Sequence, residues 1–359
     1  MNRRERFLET MTFGKPDRAA SGDYFYYDAT RERWESEGLP KAADLNEYFE
    51  MDFDPFRWKI DANISIQPEY EEETVEETDE IRVVRREKGE IVRILKNVPP
   101  PAMPQWVRYP LESREEWDEY KTRLDPDTPG RLPADLSQKA AETADRDYPI
   151  GMWLGGSYGV LRDMWGVENL SYLFFDDTAL IEEMIEYLTN LTVGVLDKVL
   201  ATGIELDWVM FWEDMAYKTG PLVSPAQFKQ YCVPFYTRVM ERVRKAGIPV
   251  VMVDSDGDIR KLIPIWLDAG VNIMHPMEVA ASMDVVKCRE QYGKKIGFFG
   301  GIDKRALSGT RQQVKEEVMP KLEACFKDGG FIPAFDHAIP PDVSFENYCY
   351  YRELVRSFD

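Results

Sequence analysis

The stretch IPVVMVDSDGDIRKLIPIWLDAGVNIMHPME, residues 248–278, decides the fold. Ile248–Val253 is a short apolar run rich in β-branched residues, cut off by Asp254-Ser255-Asp256-Gly257. An amphipathic segment, Ile259–Ala269, follows, and Val271–Met274 opens a second apolar run that ends at His275. A strand, a helix and another strand within about thirty residues make one βαβ unit, whose two strands lie parallel.

The same alternation extends in both directions. Tyr148–Leu154, Trp208–Trp212, Lys295–Phe299 and Gly330–Phe335 are further strands, separated by helices at Thr178–Leu200, Ser224–Ala246, Met283–Tyr292, Thr310–Lys327 and Ser344–Phe358. Ser224-Pro225 marks a helix start, with Ser as cap and Pro in the first helical position. Two upstream runs, Ala19–Tyr27 and Asp52–Ile60, bring the strand count to eight. Eight parallel strands with intervening helices predict an α/β chain closed into a (β/α)8 TIM barrel. An open doubly wound sheet is the competing arrangement, but no GxGxxG turn follows a strand. Residues 69–97 break the rhythm: Ile81–Arg85 and Ile91–Leu95 flank a turn with Gly89, predicting a β-hairpin inserted over one mouth of a single barrel domain, 1–359. Pro99–Pro101 and Asp125–Gly130 read as loops.

Composition bounds the function. The chain has 359 residues, 45 Lys and Arg against 65 Asp and Glu, a net charge of −20 and 44% hydrophobic residues. It can bury a large core, which excludes wholesale disorder. A surface this acidic repels phosphate backbones and anionic lipid, so neither nucleic acid nor a membrane is expected as a partner. No run approaches the roughly 18 apolar residues of a membrane span, and Met1–Arg6 is polar, so the expected location is cytoplasmic. Cys232, Cys288, Cys325 and Cys349 are too scattered for a CxxC site and are read as reduced. A homodimer is compatible with these observations but not required by them.

The polar residues gather at strand ends. Glu213 and Asp214 follow Trp212; Asp254, Asp256 and Asp258 follow Val253; His275 and Glu278 follow Met274. Gly300-Gly301, Asp303 and Lys304 follow Phe299, and Asp336 and His337 follow Phe335. Parallel strands end on one rim of a barrel, so these groups converge on one mouth. Any single Asp after a strand serves equally well as a cap or turn residue; Asp258 and Asp284 are read so, and Asp303 allows it. Both histidines of the chain together with Glu213, Asp254, Asp256 and Glu278 crowd like charge unless protons or a cation offset it. A divalent metal is the simplest remedy: zinc with an open position, or magnesium or manganese.

These segments also carry a resemblance. Val253-Asp254-Ser255-Asp256-Gly257, Gly300-Gly301-Ile302-Asp303-Lys304-Arg305 and Asp336-His337-Ala338-Ile339-Pro340-Pro341-Asp342 resemble the uroporphyrinogen decarboxylase superfamily. Trp212-Glu213-Asp214, the opening Arg3-Arg4-Glu5-Arg6-Phe7-Leu8 and Pro16-Asp17-Arg18 extend the likeness over nearly the whole chain, and it implies a (β/α)8 barrel. True decarboxylases carry an arginine-rich segment after the first strand; here that region reads Asp23-Tyr24-Phe25-Tyr26-Tyr27-Asp28, so porphyrinogen decarboxylation is not expected. The chain is more similar to the cobamide-dependent methyltransferases, which hold zinc through His-x-Cys after the fifth strand and a Cys after the eighth. Asp254, Asp256 and His337 stand at those positions, and Glu278 resembles a further ligand position. Without thiolates the ion is a harder Lewis acid, suited to an oxygen-bearing donor rather than a thiol acceptor.

The resemblance implies a metal-dependent methyltransferase, an O-demethylase component that moves a methyl group from a small methoxylated, aromatic donor to a corrinoid carried by a partner protein. Asp254, Asp256, Glu278 and His337 are the expected ligands of zinc or another divalent ion, and Glu213, His275 and Lys304 the expected catalytic groups. Tyr24, Tyr26, Trp153, Trp212 and Phe335 are candidates for packing the donor ring, although strand alternation lets only some face inward. Two alternatives stand beside it: a metal-dependent decarboxylase or lyase of a small carboxylate, and a non-catalytic barrel that binds a cation.

Overall fold

The computed structural model describes residues 1–23, 26–98 and 103–358, so Tyr24 and the Pro99–Pro101 loop lie outside the described residues. The inserted segment is larger than a hairpin. β2 (Ile81–Arg85) and β3 (Ile91–Leu95) pair antiparallel around the Gly89 turn, and β1 (Glu73–Glu77) and β4 (Gln105–Arg108) flank them. A two-stranded hairpin is marginal in water; in the four-stranded sheet Val83, Val84 and Val92 become buried.

The six apolar runs from residue 148 onward all form strands. These are β5 (Gly151–Trp153), β6 (Trp208–Trp212), β9 (Val250–Asp254), β10 (Ile273–His275), β11 (Gly297–Ile302) and β12 (Phe331–Phe335). They pair parallel in the order β5-β6-β9-β10-β11-β12, and a short hairpin of β7 (Ala216–Tyr217) and β8 (Gly220–Pro221) rises after β6. The two upstream runs join this sheet through isolated parallel bridges: Lys59 with Gly151, Gly22 with Phe53 and Tyr26 with Ile339. In the second run Asp54 accepts from the amides of Phe56 and Arg57, turning the chain at Asp54-Pro55. The architecture is the TIM barrel that the alternation predicts, with the two upstream runs represented by bridges among the described residues.

Helices pack outside where amphipathic segments predict them, including Thr178–Ala201, Ile263–Ala269, Val285–Tyr292, Arg311–Cys325 and Phe345–Arg356. Ser224 caps its helix by accepting from the Gln227 amide, and the segment runs through a π turn at Phe228–Cys232 to Lys245. No helix among the described residues is long and apolar enough to cross a membrane.

Pleat alternation sorts the strand side chains into two layers. Trp208, Met210, Val250, Met252, Phe299 and Ile332 form one cluster in the barrel interior, where Phe7 and Met11 of the helix Arg3–Met11 join them. Val209, Phe211, Val251, Val253, Phe298 and Phe335 have the opposite parity and belong to the larger core between sheet and helices. The ends of the ring are tied by buried charge. Asp52 accepts from Arg6 and Arg18 and from the Ser21 amide. Asp23 accepts from the Phe335 amide at 3.0 Å and the Tyr348 hydroxyl at 2.6 Å, linking the first run to β12 and the last helix.

Burial holds the Asp23 carboxyl up at about 6, with Arg352, Tyr348 and the Phe335 amide pulling it down. The folded value exceeds the unfolded one of about 3.9, so the fold binds the proton more tightly. This contribution is fully present below about pH 4 and is lost as pH rises through about 6. Asp23→Asn is expected to flatten that loss, by about 2 kcal/mol between pH 4 and 7, in urea midpoints of the two proteins measured side by side.

Candidate functional site

Register places three inward-facing residues on one level. Trp212 is paired with Asp254, and Asp254 with His275, across β6, β9 and β10. They share the parity of Met210, Met252 and Ile273 below them and form the top layer of the barrel. Asp254 Oδ1 lies 4.0 Å from His275 Nε2. His275 is 2% exposed, its ring stacks on Phe299 at 4.7 Å, and its Nδ1 is 2.8 Å from the Phe299 carbonyl. A carbonyl only accepts, so Nδ1 carries the proton and Nε2 is the acceptor nitrogen turned toward Asp254. Burial pushes the imidazole down to about 4, which keeps it neutral at pH 7.

The carboxylates respond in the opposite direction. Burial, then Asp256 and Asp214, holds Asp254 well above the usual carboxylate range. Asp256 rises to about 7, through burial first and then Asp214 and Glu278, while Lys304 opposes the rise. Two crowded carboxylates and an acceptor nitrogen thus face a shared space that favours a proton or a cation.

Other acids at the rim are occupied in holding loops. Glu278 Oε2 accepts from the Gly257 amide at 2.8 Å, joining the loops after β9 and β10. Asp336 is fully buried and accepts from the amides of Val279 at 2.9 Å and Lys304 at 3.3 Å, joining the loops after β10, β11 and β12. The Gly300-Gly301 pair serves close approach: a Cβ on Gly300 would stand 2.2 Å from the Pro276 carbonyl, to which the Gly301 amide donates at 2.8 Å. Asp303 caps the turn at Lys304–Leu307 by accepting from the Arg305 amide. The His337 Nδ1 accepts from the Ala338 amide at 2.8 Å, which puts the proton of its neutral form on Nε2, the reverse of His275. The Lys304 ammonium and burial together lower the affinity of His337 for a second proton, burial being the larger cause.

Three residues expected at the mouth point elsewhere. Glu213 has the parity of Val209 and Phe211, and it is fully buried in the helix layer. There it accepts from the Ser157 amide at 2.7 Å, the Ser157 hydroxyl at 2.8 Å, the Gly159 amide at 2.8 Å and the Tyr236 hydroxyl. It seats the start of the helix Tyr158–Trp165, where a carboxylate complements the helix dipole. Phe335 packs behind β12 against Tyr351 at 5.5 Å and Tyr348 at 5.9 Å. Tyr26 lies 6.3 Å from Trp34 and its hydroxyl accepts from Arg31. Tyr24 is not among the described residues. Trp153 and Trp212 do border open space, a cavity of about 430 Å³ between the mouth and the Arg86–Glu90 turn of the inserted sheet.

Sequence reasoning passed over Arg162 and Asp163. Arg162 donates to Asp214 Oδ2 at 2.9 Å and to Asp163 Oδ1 at 3.1 Å, with its guanidinium 5.1 Å from the Trp212 ring. The signal was present: an Arg-Asp pair interrupts the otherwise apolar segment Tyr158–Trp165. Among the described residues no three His, Cys, Asp or Glu side chains stand close enough together to hold a metal ion, so ligation requires side-chain rearrangement. All four cysteines are free thiols, as the composition suggests.

Glu213→Ala would strand the Ser157, Gly159 and Tyr236 donors in a dry interior, at an expected cost of about 3 kcal/mol in urea denaturation. Glu213→Gln, which keeps the shape, is expected to lose less than half of that.

Comparison with known proteins agrees with this architecture. Residues 90–358 match the family model described as Uroporphyrinogen decarboxylase (URO-D). The uroporphyrinogen decarboxylase of Methylococcus capsulatus is 22% identical over 189 residues, 52% of this chain and 51% of that protein. The uroporphyrinogen decarboxylase of Danio rerio is 26% identical over 146 residues, 39% of this chain and 38% of that protein. The chain thus spans about half the length, or less, of these curated relatives. The solved structure of a methyltransferase from Methanosarcina mazei matches 99% of both chains with a TM-score of 0.60 at 16% identity, a likeness of fold. Because the family model covers most of the chain, including every strand from β5 to β12 and the mouth they build, this protein belongs to the uroporphyrinogen decarboxylase family.

Proposed function

We propose that this protein is a metal-dependent methyltransferase that takes a methyl group from a small methoxylated aromatic donor and passes it to a corrinoid partner protein. The observation that carries the reading is the pair Asp254 Oδ1 and His275 Nε2, 4.0 Å apart at the floor of an acidic mouth. Two ligands bonded at about 2.1 Å to a tetrahedral zinc stand roughly 3.4 Å apart, so a small side-chain movement brings this pair to one ion. Asp254, Asp256 and Glu278 with an imidazole would hold it, a donor set that suits zinc or a harder divalent ion. Of the two imidazoles, His275 is the better prepared, because its Nδ1–H is anchored on the Phe299 carbonyl. His337 would first exchange its Ala338 contact or its tautomer. Bound there, the ion would supply Lewis acidity toward an ether oxygen.

The protein's own side chains bind and orient. Trp153 and Trp212 offer apolar faces to a donor ring, and Arg162, shared by Asp214 and Asp163, braces Trp212. Lys304 brings positive charge beside Asp256 and His337, where it offsets the carboxylates and favours a departing phenolate. The packed layer of Met210, Met252 and Phe299 shuts water out from below.

The decarboxylase names of the curated relatives favour a second reading, a metal-dependent decarboxylase or lyase of a small carboxylate. The crowded carboxylates of the mouth weigh against a substrate bearing many acid groups.

Purified protein is expected to bind about one divalent ion per chain by elemental analysis, and Asp254→Ala and His275→Ala to lose it with unchanged circular dichroism. Methyl transfer to reduced cobamide is expected from at least one of a panel of methoxyaromatics, and Asp256→Ala to slow it by at least about a hundredfold. Full metal content in both variants removes the metal site. No transfer across the panel removes the methyltransferase reading, and release of carbon dioxide from a small acid selects the second one.

A further inference from the structure

A second cavity, of about 380 Å³, lies between β4 of the inserted sheet and the hairpin of β7 and β8. Trp106, Val167, Tyr217 and Leu222 form its apolar walls, and Arg162, Asp163 and Asp214 its polar side. The hairpin is fastened to the loop after β9. The Met215 amide donates to the Ser255 hydroxyl at 3.0 Å, the Asp258 amide donates to the Tyr217 carbonyl at 3.0 Å, and a Cβ on Gly257 would stand 2.4 Å from the Ala216 carbonyl. Asp214 belongs to both places: it lines the cavity, and its charge helps to hold up the Asp254 and Asp256 carboxyls. The cavity therefore shares its wall with the acidic mouth.

Its polar side offers carboxylate oxygen rather than guanidinium. Arg162 spends Nη1 on the carbonyl and Oδ2 of Asp214, and Nε and Nη2 on Asp163 Oδ1. Asp163 Oδ2 and Asp214 Oδ1 accept no hydrogen bond among the described residues. The Asp163 and Asp214 side chains are 41% and 33% exposed, against 16% for Arg162, so the acids are the more open to a ligand. One guanidinium between two carboxylates leaves the group one negative charge in excess. Burial holds the Asp163 carboxyl above its usual range even though Arg162 pulls it down, so this ion pair does not fully repay the desolvation of the acid.

A ligand for this space needs positive charge with N–H donors at one end and an apolar body at the other. An anion would meet two carboxylates, and a neutral alcohol would leave the excess charge unanswered. The volume takes one ring with a short chain, and Trp106 and Tyr217 give aromatic walls that favour both a ring and a nearby cation.

We propose that this cavity is a binding site for a protonated amine with an aryl or alkyl body, its ammonium at Asp163 and Asp214 and its apolar part along Trp106, Val167 and Tyr217. The site goes beyond the methyltransferase reading and does not depend on it, because it uses none of the proposed metal ligands. Calorimetric titration of the full chain at pH 7 with 2-phenylethylamine, 2-phenylethanol, 3-phenylpropanoate and ethylamine tests it. The phenylethylamine is expected to bind about tenfold tighter than the alcohol, with the propanoate and the ringless ethylamine weaker than both. Asp163→Asn, or Asp214→Asn should the first variant lose its circular dichroism, is expected to shrink the amine-to-alcohol contrast to under about threefold while leaving the alcohol within about twofold of wild type. Tyr217→Ala, at an exposed position, is expected to weaken amine and alcohol alike and to keep their contrast. No binding, no contrast in the wild type, tightest binding of the propanoate, or ethylamine equal to phenylethylamine each overturns the proposal. So does a contrast that survives the Asp→Asn substitution, which would mean that the net charge of −20 attracts the amine without a site.

Discussion

A carboxylate oxygen and an imidazole acceptor nitrogen held 4.0 Å apart at the floor of a barrel constrain everything around them. Asp254 and His275 end adjacent parallel strands in register, and the pleat aims both inward, with His275 buried and the Asp254 side chain 20% exposed. Burial raises the cost of charge on Asp254 and Asp256; Asp256 and Asp214 add to it at Asp254, and Asp214 and Glu278 add to it at Asp256. The rim answers with cations. Lys304 approaches Asp256, and Arg162 is divided between Asp214 and Asp163. Such a mouth favours a proton or a cation, and this is the physical basis for proposing it as a metal centre.

The acids of the rim divide by what they accept from. Asp303, Asp336, Glu278 and Glu213 take backbone amides and hydroxyls, and through them the loops after β9 to β12 and the start of the helix Tyr158–Trp165 are held in fixed relation. Asp254 and Asp256 are shaped by burial and by other charges, with no hydrogen bond among the causes of their shifts. The same residue type therefore holds loops in one place and is left to burial and neighbouring charge in another. The frame comes first, since a ligand pair at this separation is useful only if its strands cannot drift.

The inserted sheet adds a wall to this frame. Arg86, Glu87, Lys88 and Glu90 line a cavity whose other side includes Trp153 and Trp212 of the barrel, so its walls come from distant parts of the chain. Barrel strands are rigid supports and the segments between them vary, which is how one barrel fold supports many chemistries.

The strands and helices were legible because apolar alternation and caps are local: β5, β6, β9, β10, β11 and β12 each fall on a run read from sequence, and Ser224 and Asp284 cap where their residue types predict. The gathering of polar groups at one rim was legible for the same reason, since parallel strands share an end. What the sequence by itself determined is thus the barrel, its acidic mouth and the approximate places of Asp254, Asp256, His275, Glu278 and His337. Only the tertiary structure decided which way each side chain faces. A single residue of pleat separates inward Trp212 from outward Glu213, and inward Ala334 from outward Phe335. The opposite tautomers of the two histidines depend on a Phe299 carbonyl from the neighbouring strand in one case and on the next amide along the chain in the other. The first of these partners comes into place only when the sheet closes, because a hydrogen bond between strands has no counterpart in the order of residues along the chain.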